Sequence, residues 1–219
     1  MGGAAGRAGA RAHEAPDTRA GERTPRETSG GNEREAGAGT VAYTLGRTIT
    51  HCPYCGAAYV PGAGWPRDCP GCGETSWANP IPVAVALLPV AGGAGSGLVV
   101  VRRAIEPCLG RLALPGGYIE VGETWQQAAV RELREETGLA AAAEEVTLFD
   151  VRSAERTLNL FALLPAVDAA ALPAPAATAE ATEWLVLTEP ADLAFPTHTA
   201  VVDAYFSGRP SGSPVAALP

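Results

Sequence analysis

Between Asn79 and Phe206 the apolar residues fall into short dense runs separated by Gly, Pro and charged positions, and the spacing inside each run predicts an element. Pro82 to Pro89 (PVAVALLP) and Gly97 to Arg103 (GLVVVRR) have the Val-rich density of strands. With Ala91 to Ser96 as a flexible link, the pair predicts a hairpin. Arg111 to Leu114 predicts another strand, Pro115-Gly116-Gly117 a turn, and Tyr118 to Val121 a further extended piece. The period then changes: Trp125, Ala129 and Leu133 recur at i, i+4, with Ala128 and Val130 beside them, which is the stripe of a helix laid on a core. Thr124 suits the N-cap, with Gln127 as its partner in a capping box, and Gly138 supplies the stop. Strands follow near Val146 to Val151, Thr157 to Leu164 and Glu183 to Leu187. The Ala/Pro run 165–179 reads as a loop and Pro196 to Phe206 as a closing helix. Strands mixed with two helices predict an α+β or α/β sandwich.

Outside that region the pattern disappears. From Gly2 to Thr40 there is no Val, Ile, Leu, Phe, Trp or Tyr, so nothing offsets an ordering entropy of about 1 to 2 kcal/mol per residue. Residues 1–45 are therefore expected to be a disordered tail and 208–219 a flexible one. The 219 residues suit one main core with appendages. No stretch approaches the roughly 20 apolar residues of a membrane span, and the N-terminus lacks the apolar core of a signal peptide, so a cytoplasmic protein with no membrane partner is expected. All 16 basic residues are arginine, which excludes a Walker lysine or a Schiff base, and a net charge of -8 disfavours nonspecific nucleic-acid binding.

The helix carries a second pattern on top of its apolar stripe. Glu132, Glu135 and Glu136 stand at i, i+3 and i+4 and share one face near the C-terminal end. Like charges at that spacing cost about 0.2 to 0.5 kcal/mol, and carboxylates near a helix C-terminus about 0.3 to 1 kcal/mol each. The plain alternative is a solvated face with Arg131 and Arg134 as surface partners. What favours a site is the surrounding segment: a glycine turn precedes the helix and Glu123 sits at its mouth. Carboxylates converging beside a backbone carbonyl make a hard-oxygen set suited to Mg²⁺ or Mn²⁺.

Gly117, five residues, Glu123, seven residues, then Arg131-Glu132-Leu133-Arg134-Glu135-Glu136-Thr137-Gly138-Leu139 fills every specified position of the Nudix box, nine positions over 23 residues. The chain thereby resembles the Nudix hydrolase family. The resemblance implies an α/β/α sandwich with a mixed sheet and hydrolysis of a nucleoside diphosphate linked to another moiety. It further implies that Glu135 and Glu136 coordinate a divalent metal with the carbonyl of Gly117. Glu132 would be a further ligand or would orient and deprotonate the attacking water, Arg131 would hold Glu132, and Glu123 would brace the junction of loop and helix. Members of the family often draw another acid from a loop outside the box. Glu180 is the first candidate here, Glu183 the next, and Glu155 and Asp150 are weaker ones. Trp125, Phe149, Phe161 and Trp184 read as core aromatics, with stacking on a base as their functional alternative.

Residues 46–78 form a separate module. Cys52-Pro-Tyr-Cys55-Gly and Cys69-Pro-Gly-Cys72-Gly, thirteen residues apart, have the spacing of two knuckles closing one tetrahedral four-sulfur zinc site. Four protein ligands leave no open position, so that zinc is expected to be structural. A redox dithiol pair is the other reading, His51 is taken as merely adjacent, and Cys108 as an incidental thiol. A ribbon followed by Asn79-Pro80, a strand and a Nudix box (79–207) resembles a subgroup that includes NADH pyrophosphatases and flavin and ADP-ribose pyrophosphatases. The S-Q-P-W-P-F-P motif of the NADH branch is absent after Leu139, and Glu106-Pro107-Cys108-Leu109-Gly110 leading to Leu114-Pro115-Gly116-Gly117-Tyr118 resembles the flavin and ADP-ribose type, a resemblance that implies ADP-ribose or FAD as the substrate class. NADH pyrophosphatase-like activity, or a noncatalytic nucleotide-binding sensor, is the alternative. A small-molecule nucleotide is the expected partner, and a homodimer is plausible by analogy alone.

Overall fold

The switch of period that marks the helix in sequence also marks where the chain leaves one sheet and covers it. The structure, a computed structural model, describes residues 49–92 and 97–208, so both expected tails and the centre of the 91–96 link lie outside the described residues, Gly208 excepted. In chain order the elements are β1 (Arg67–Asp68), β2 (Thr75–Ser76), β3 (Ile81–Leu87), β4 (Pro89–Ala91), β5 (Gly97–Arg103), β6 (Leu112–Ala113) and β7 (Gly116–Tyr118). They continue with α1 (Trp125–Thr137), β8 (Thr147–Ser153), β9 (Thr157–Leu163), β10 (Val167–Asp168), β11 (Ala181–Leu187) and α2 (Pro196–Phe206).

Two sheets form the middle of the molecule. One runs β7-β3-β9-β8, with β3 and β9 parallel and the other pairs antiparallel. The second runs β10-β4-β5-β11, with β6 also on β5. Alternate residues of both sheets feed two cores. Ala84, Ala86, Val99, Val101 and Trp184 pack with Ala128, Ala129 and Leu133 of α1. Val85, Leu87, Val100 and Phe161 pack with Val201 and Val202 of α2. Helix, mixed sheet and helix thus make the α/β/α sandwich expected from sequence.

The predicted hairpin of 82–89 with 97–103 is not what forms. β3 pairs with β7 and β9 in one sheet, and after Leu88 the chain enters the other sheet as β4, which pairs with β5. Residues 84 to 88 are all buried, at 0 to 1% exposure. A run buried on both faces carries no alternation from which a change of sheet can be read. The predicted turn at Pro115-Gly116-Gly117 is also corrected: both glycines lie in β7, with Gly117 opposite Ala84 and Gly116 opposite Val85. A Cβ on Gly116 would stand 2.6 Å from the Ala84 carbonyl oxygen, so glycine there serves close strand approach rather than a reversal. The Ala/Pro run is mainly loop but contains β10, parallel to β4.

Both helices match their sequence signals. At the start of α1 the Gln127 amide donates to the Thr124 hydroxyl at 3.2 Å and the Thr124 amide to the Gln127 side chain at 2.8 Å. At its end Gly138 is left-handed, φ 76°, with its amide donating to the Arg134 carbonyl. In α2 the buried His198 accepts from the Leu114 amide through Nδ1 at 3.2 Å, which fixes the closing helix to the β6–β7 connection. Burial pushes its imidazole down to about 3, so it stays neutral. Thr124→Ala should cost about 1 kcal/mol by leaving the Gln127 amide of α1 without its hydroxyl partner, seen as a lowered urea midpoint at unchanged slope.

Candidate active site and cysteine cluster

Helix α1 has one face turned to the first core, and its acidic residues divide between that face and solvent. Glu132 and Glu136 are buried together with Ala128, Ala129 and Leu133, whereas Glu135 stays outside. The side chain of Glu135 is 53% exposed against 11% for Glu132. What receives the inner carboxylates is β7. A Cβ on Gly117 would lie 2.6 Å from the Glu132 carboxyl carbon, so the absent side chain is the space that Glu132 occupies. One residue earlier, the Gly116 amide donates to Glu136 at 3.3 Å.

Arg131 is the positive centre of this arrangement. Its Nη1 donates to Glu132 at 2.7 Å and to Glu135 at 3.3 Å. Its Nη2 reaches Glu123 at 2.7 Å and the Tyr118 carbonyl at 2.9 Å, and its Nε bonds the other oxygen of Glu123 at 3.1 Å. Glu123 also accepts from the Glu120 amide at 2.7 Å. Loop, β7 and α1 are therefore joined through one guanidinium whose fork suits bidentate carboxylate contact. The Arg131 hydrogen bonds hold the Glu123 carboxyl below its usual range.

Glu132 and Glu136 are displaced the other way. Burial raises Glu132 against the pull of Arg131, and the charges of Glu135 and Glu180 add to the rise. Glu136 is pushed up to about 8, first by burial and then by the fields of Glu132 and Glu180. Glu180 is thus within electrostatic reach of both inner carboxylates. Glu183 turns elsewhere, into a 2.7 Å ion pair with Arg102, and Asp150 is paired with Arg152 at 2.7 Å. Of the four outside acids considered from sequence, Glu180 is the one whose field these glutamates feel. Phe149, Phe161 and Trp184 are buried in the cores, and Trp125 packs partly buried against the first.

The cysteine module folds as two similar turns. Gly56 and Gly73 are left-handed, and their amides close the turns on the carbonyls of Cys52 and Cys69 at 2.9 Å. The Tyr54 and Gly71 amides donate to the sulfurs of Cys52 and Cys69 at 3.4 Å. All four sulfurs lie within 4.8 Å of one another, with Cys52–Cys72 at 3.8 Å and Cys55–Cys69 at 3.5 Å. Tetrahedral thiolates at about 2.3 Å from zinc stand about 3.8 Å apart, so the cluster has the size of such a site. His51 lies outside it, with Nδ1 bonded to Thr50 at 2.9 Å, and Cys108 packs against the first core.

A profile of the NUDIX domain matches residues 80–205, which includes both sheets, α1 and the glutamates described above. The chain belongs to the Nudix family. Over 42 residues it is 50% identical to an ADP-ribose pyrophosphatase of Methanocaldococcus jannaschii, a stretch that covers 19% of this chain and 25% of that protein. Over 43 residues it is 49% identical to an 8-oxo-dGTP diphosphatase of Escherichia coli, covering 19% of this chain and 33% of the relative. The chain thus spans a third or less of these curated relatives. A Nudix hydrolase crystal structure from Nitrosomonas europaea matches 74% of this Nudix chain and 92% of its own, with a TM-score of 0.56 and 23% identity, a likeness of fold. No helix among the described residues is long and apolar enough to cross a membrane.

Because the folded protein keeps a proton on Glu136 that the unfolded chain gives up near 4.5, stability should fall as pH rises from there to about 8. His198, buried and neutral, acts in the opposite sense, but only below its ordinary value of 6.5. In chelator-treated protein the melting temperature should therefore fall between about pH 6.5 and 8. Glu136→Gln should flatten that slope, as differential scanning calorimetry across pH would show.

Proposed function

We propose that this Nudix protein hydrolyses the diphosphate bond of a nucleoside diphosphate linked to another moiety, with ADP-ribose or FAD as the substrate class. The observation that carries the reading is the position of the Glu132 carboxylate against the Gly117 backbone, with Glu136 beside it and Glu180 in range. Buried carboxylates that raise one another's proton affinity form a site short of positive charge, and their hard oxygens fit Mg²⁺ or Mn²⁺. Gly117 through its carbonyl, with Glu132, Glu135 and Glu136, would hold the ions, which supply charge screening and acidify water.

The chain's own residues would do the rest. Arg131 orients Glu132 through the 2.7 Å contact, and Glu123 fixes Arg131 from the other side. Glu132, buried and raised in proton affinity, accepts a proton from the attacking water. Glu180 is the acid that completes the set from outside the box. The similarity to the Methanocaldococcus jannaschii ADP-ribose pyrophosphatase supports the substrate class. Residues 46–78 form the ribbon, with Cys52, Cys55, Cys69 and Cys72 around a structural zinc, and 79–207 the hydrolase domain.

A panel of ADP-ribose, FAD, NADH, nucleoside triphosphates and sugar nucleotides, with Mg²⁺ or Mn²⁺ and products identified by mass, tests the reading. Release of a nucleoside monophosphate from ADP-ribose or FAD is the expected result, and turnover of none of the panel overturns it. Glu135→Gln should lower kcat by about a hundredfold or more at nearly unchanged melting temperature, since an exposed side chain contributes little to the core. Zinc analysis of purified protein should give about one atom per chain.

A further inference from the structure

Leu114 stands where the chain passes from one sheet to the other. Ala113 before it is still paired with Val101 of β5, and Gly116 after it is already paired with Val85 of β3. Between the two ladders Pro115 has no amide to give, and its carbonyl accepts from the Ala86 amide at 2.8 Å. The Leu114 amide donates to no strand; it takes Nδ1 of His198 at 3.2 Å, a residue 84 positions on. Gly116 and Gly117, which receive Glu136 and Glu132, follow directly after Pro115.

An apolar residue would suit the surroundings of His198 better. The ring is buried and makes T-shaped contacts with Phe161 of β9 and with Phe195, at centre distances of 5.6 and 5.0 Å. A leucine or phenylalanine could pack there without the cost of burying an imidazole. What neither could supply is an acceptor for a buried amide, which is costly to leave unpaired. The neutral imidazole has that acceptor in Nδ1. Residues just before α2 grip the same segment: the Ala194 amide donates to the Leu112 carbonyl at 2.7 Å, and the Ala194 carbonyl accepts from the Cys108 thiol at 3.5 Å. Those two contacts hold β6 and the loop ahead of it, and the His198 contact holds the step from β6 into β7.

We infer that His198 is a positioning residue: through the Leu114 amide it fixes the step between the sheets, and with it the place at which Gly116 and Gly117 meet the α1 carboxylates. The inference rests on the hydrolase reading above, because the backbone so fixed is the one proposed to hold metal ions together with Glu132 and Glu136. His198 itself touches neither ion nor substrate, and its effect is carried by the backbone of residues 114–117.

Binding of Mn²⁺ to the full chain without nucleotide, followed by electron paramagnetic resonance of the free ion, tests this together with amide hydrogen exchange in chelator-treated protein. His198→Leu removes the acceptor and should weaken Mn²⁺ by about tenfold, the lower end of the range for residues that orient metal ligands. The Gly116 amide should exchange faster in the same variant. His198→Asn is close to leucine in size but carries a carbonyl oxygen that can stand in for Nδ1, so it should return both readouts to wild type. Val201→Ala opens a cavity in the second core without touching the step, and it should bind Mn²⁺ as wild type does. Equal Mn²⁺ affinity in His198→Leu and wild type overturns the assignment, as does a loss of the same size in Val201→Ala, the mark of lowered stability alone. If the leucine variant does not fold, the asparagine variant decides: wild-type affinity upholds the acceptor's role, and a loss as large as that expected for leucine overturns it. Failure of both to fold makes His198 a requirement of the fold itself and also overturns the assignment. Wild-type protein that binds no Mn²⁺ overturns the hydrolase reading and this one with it.

Discussion

Two carboxylates carried out of water between a helix and a glycine strand set the terms for everything around them. Glu132 and Glu136 lose hydration on the inner face of α1 and are only partly compensated: one by Arg131, the other by a single amide. The result is a polarised site. On one side Arg131, Glu123 and the Tyr118 carbonyl form a closed set of charge-assisted bonds. On the other, Glu136 remains an acid held near neutral pH by burial and by its neighbours. The closed half is tied to loop, strand and helix at once, and the open half keeps a buried carboxyl with one amide partner. The strand glycines belong to the same design, because any side chain at 117 would take the volume of the Glu132 carboxylate.

Much of this was legible from spacing. The capping box, the left-handed Gly138 and the bounds of α2 follow from local chemistry, which neighbours do not override. The glutamate face was visible as a placement that stability alone disfavours. Which acid faces inward was not visible, because i, i+3 and i+4 share a face while burial depends on where the sheet edge falls. The sheet switch after Leu88 was hidden for a related reason: β3 is buried on both sides, so its sequence lacks the alternation that assigns faces. Gly116 and Gly117 were misread as a turn because glycine signals either a reversal or a close approach, and only the presence of β3 alongside decides.

The cysteine module and the Nudix sandwich fill their interiors differently. The sandwich has two apolar cores filled from both sheets and both helices. The ribbon's buried apolar set amounts to Cys52, Tyr59 and Cys69 with Ala57 against them, and two of those are members of the sulfur cluster. So small a core cannot offset the ordering of some thirty residues. Four grouped sulfurs stand where the sandwich has apolar side chains.

The single residue between β3 and β4 has a mechanical consequence. Leu88 is all the chain that separates two sheets, and it is pinned on both sides, its own carbonyl by the Val99 amide and that of Leu87 by the Leu164 amide. With no slack there, neither sheet can slide lengthwise past the other without breaking backbone bonds. The lateral offset between the strand that carries Arg103 and the strand that faces Gly117 is thereby inherited covalently. Any relative movement of the two sheets that keeps these bonds is therefore a rotation about Leu88.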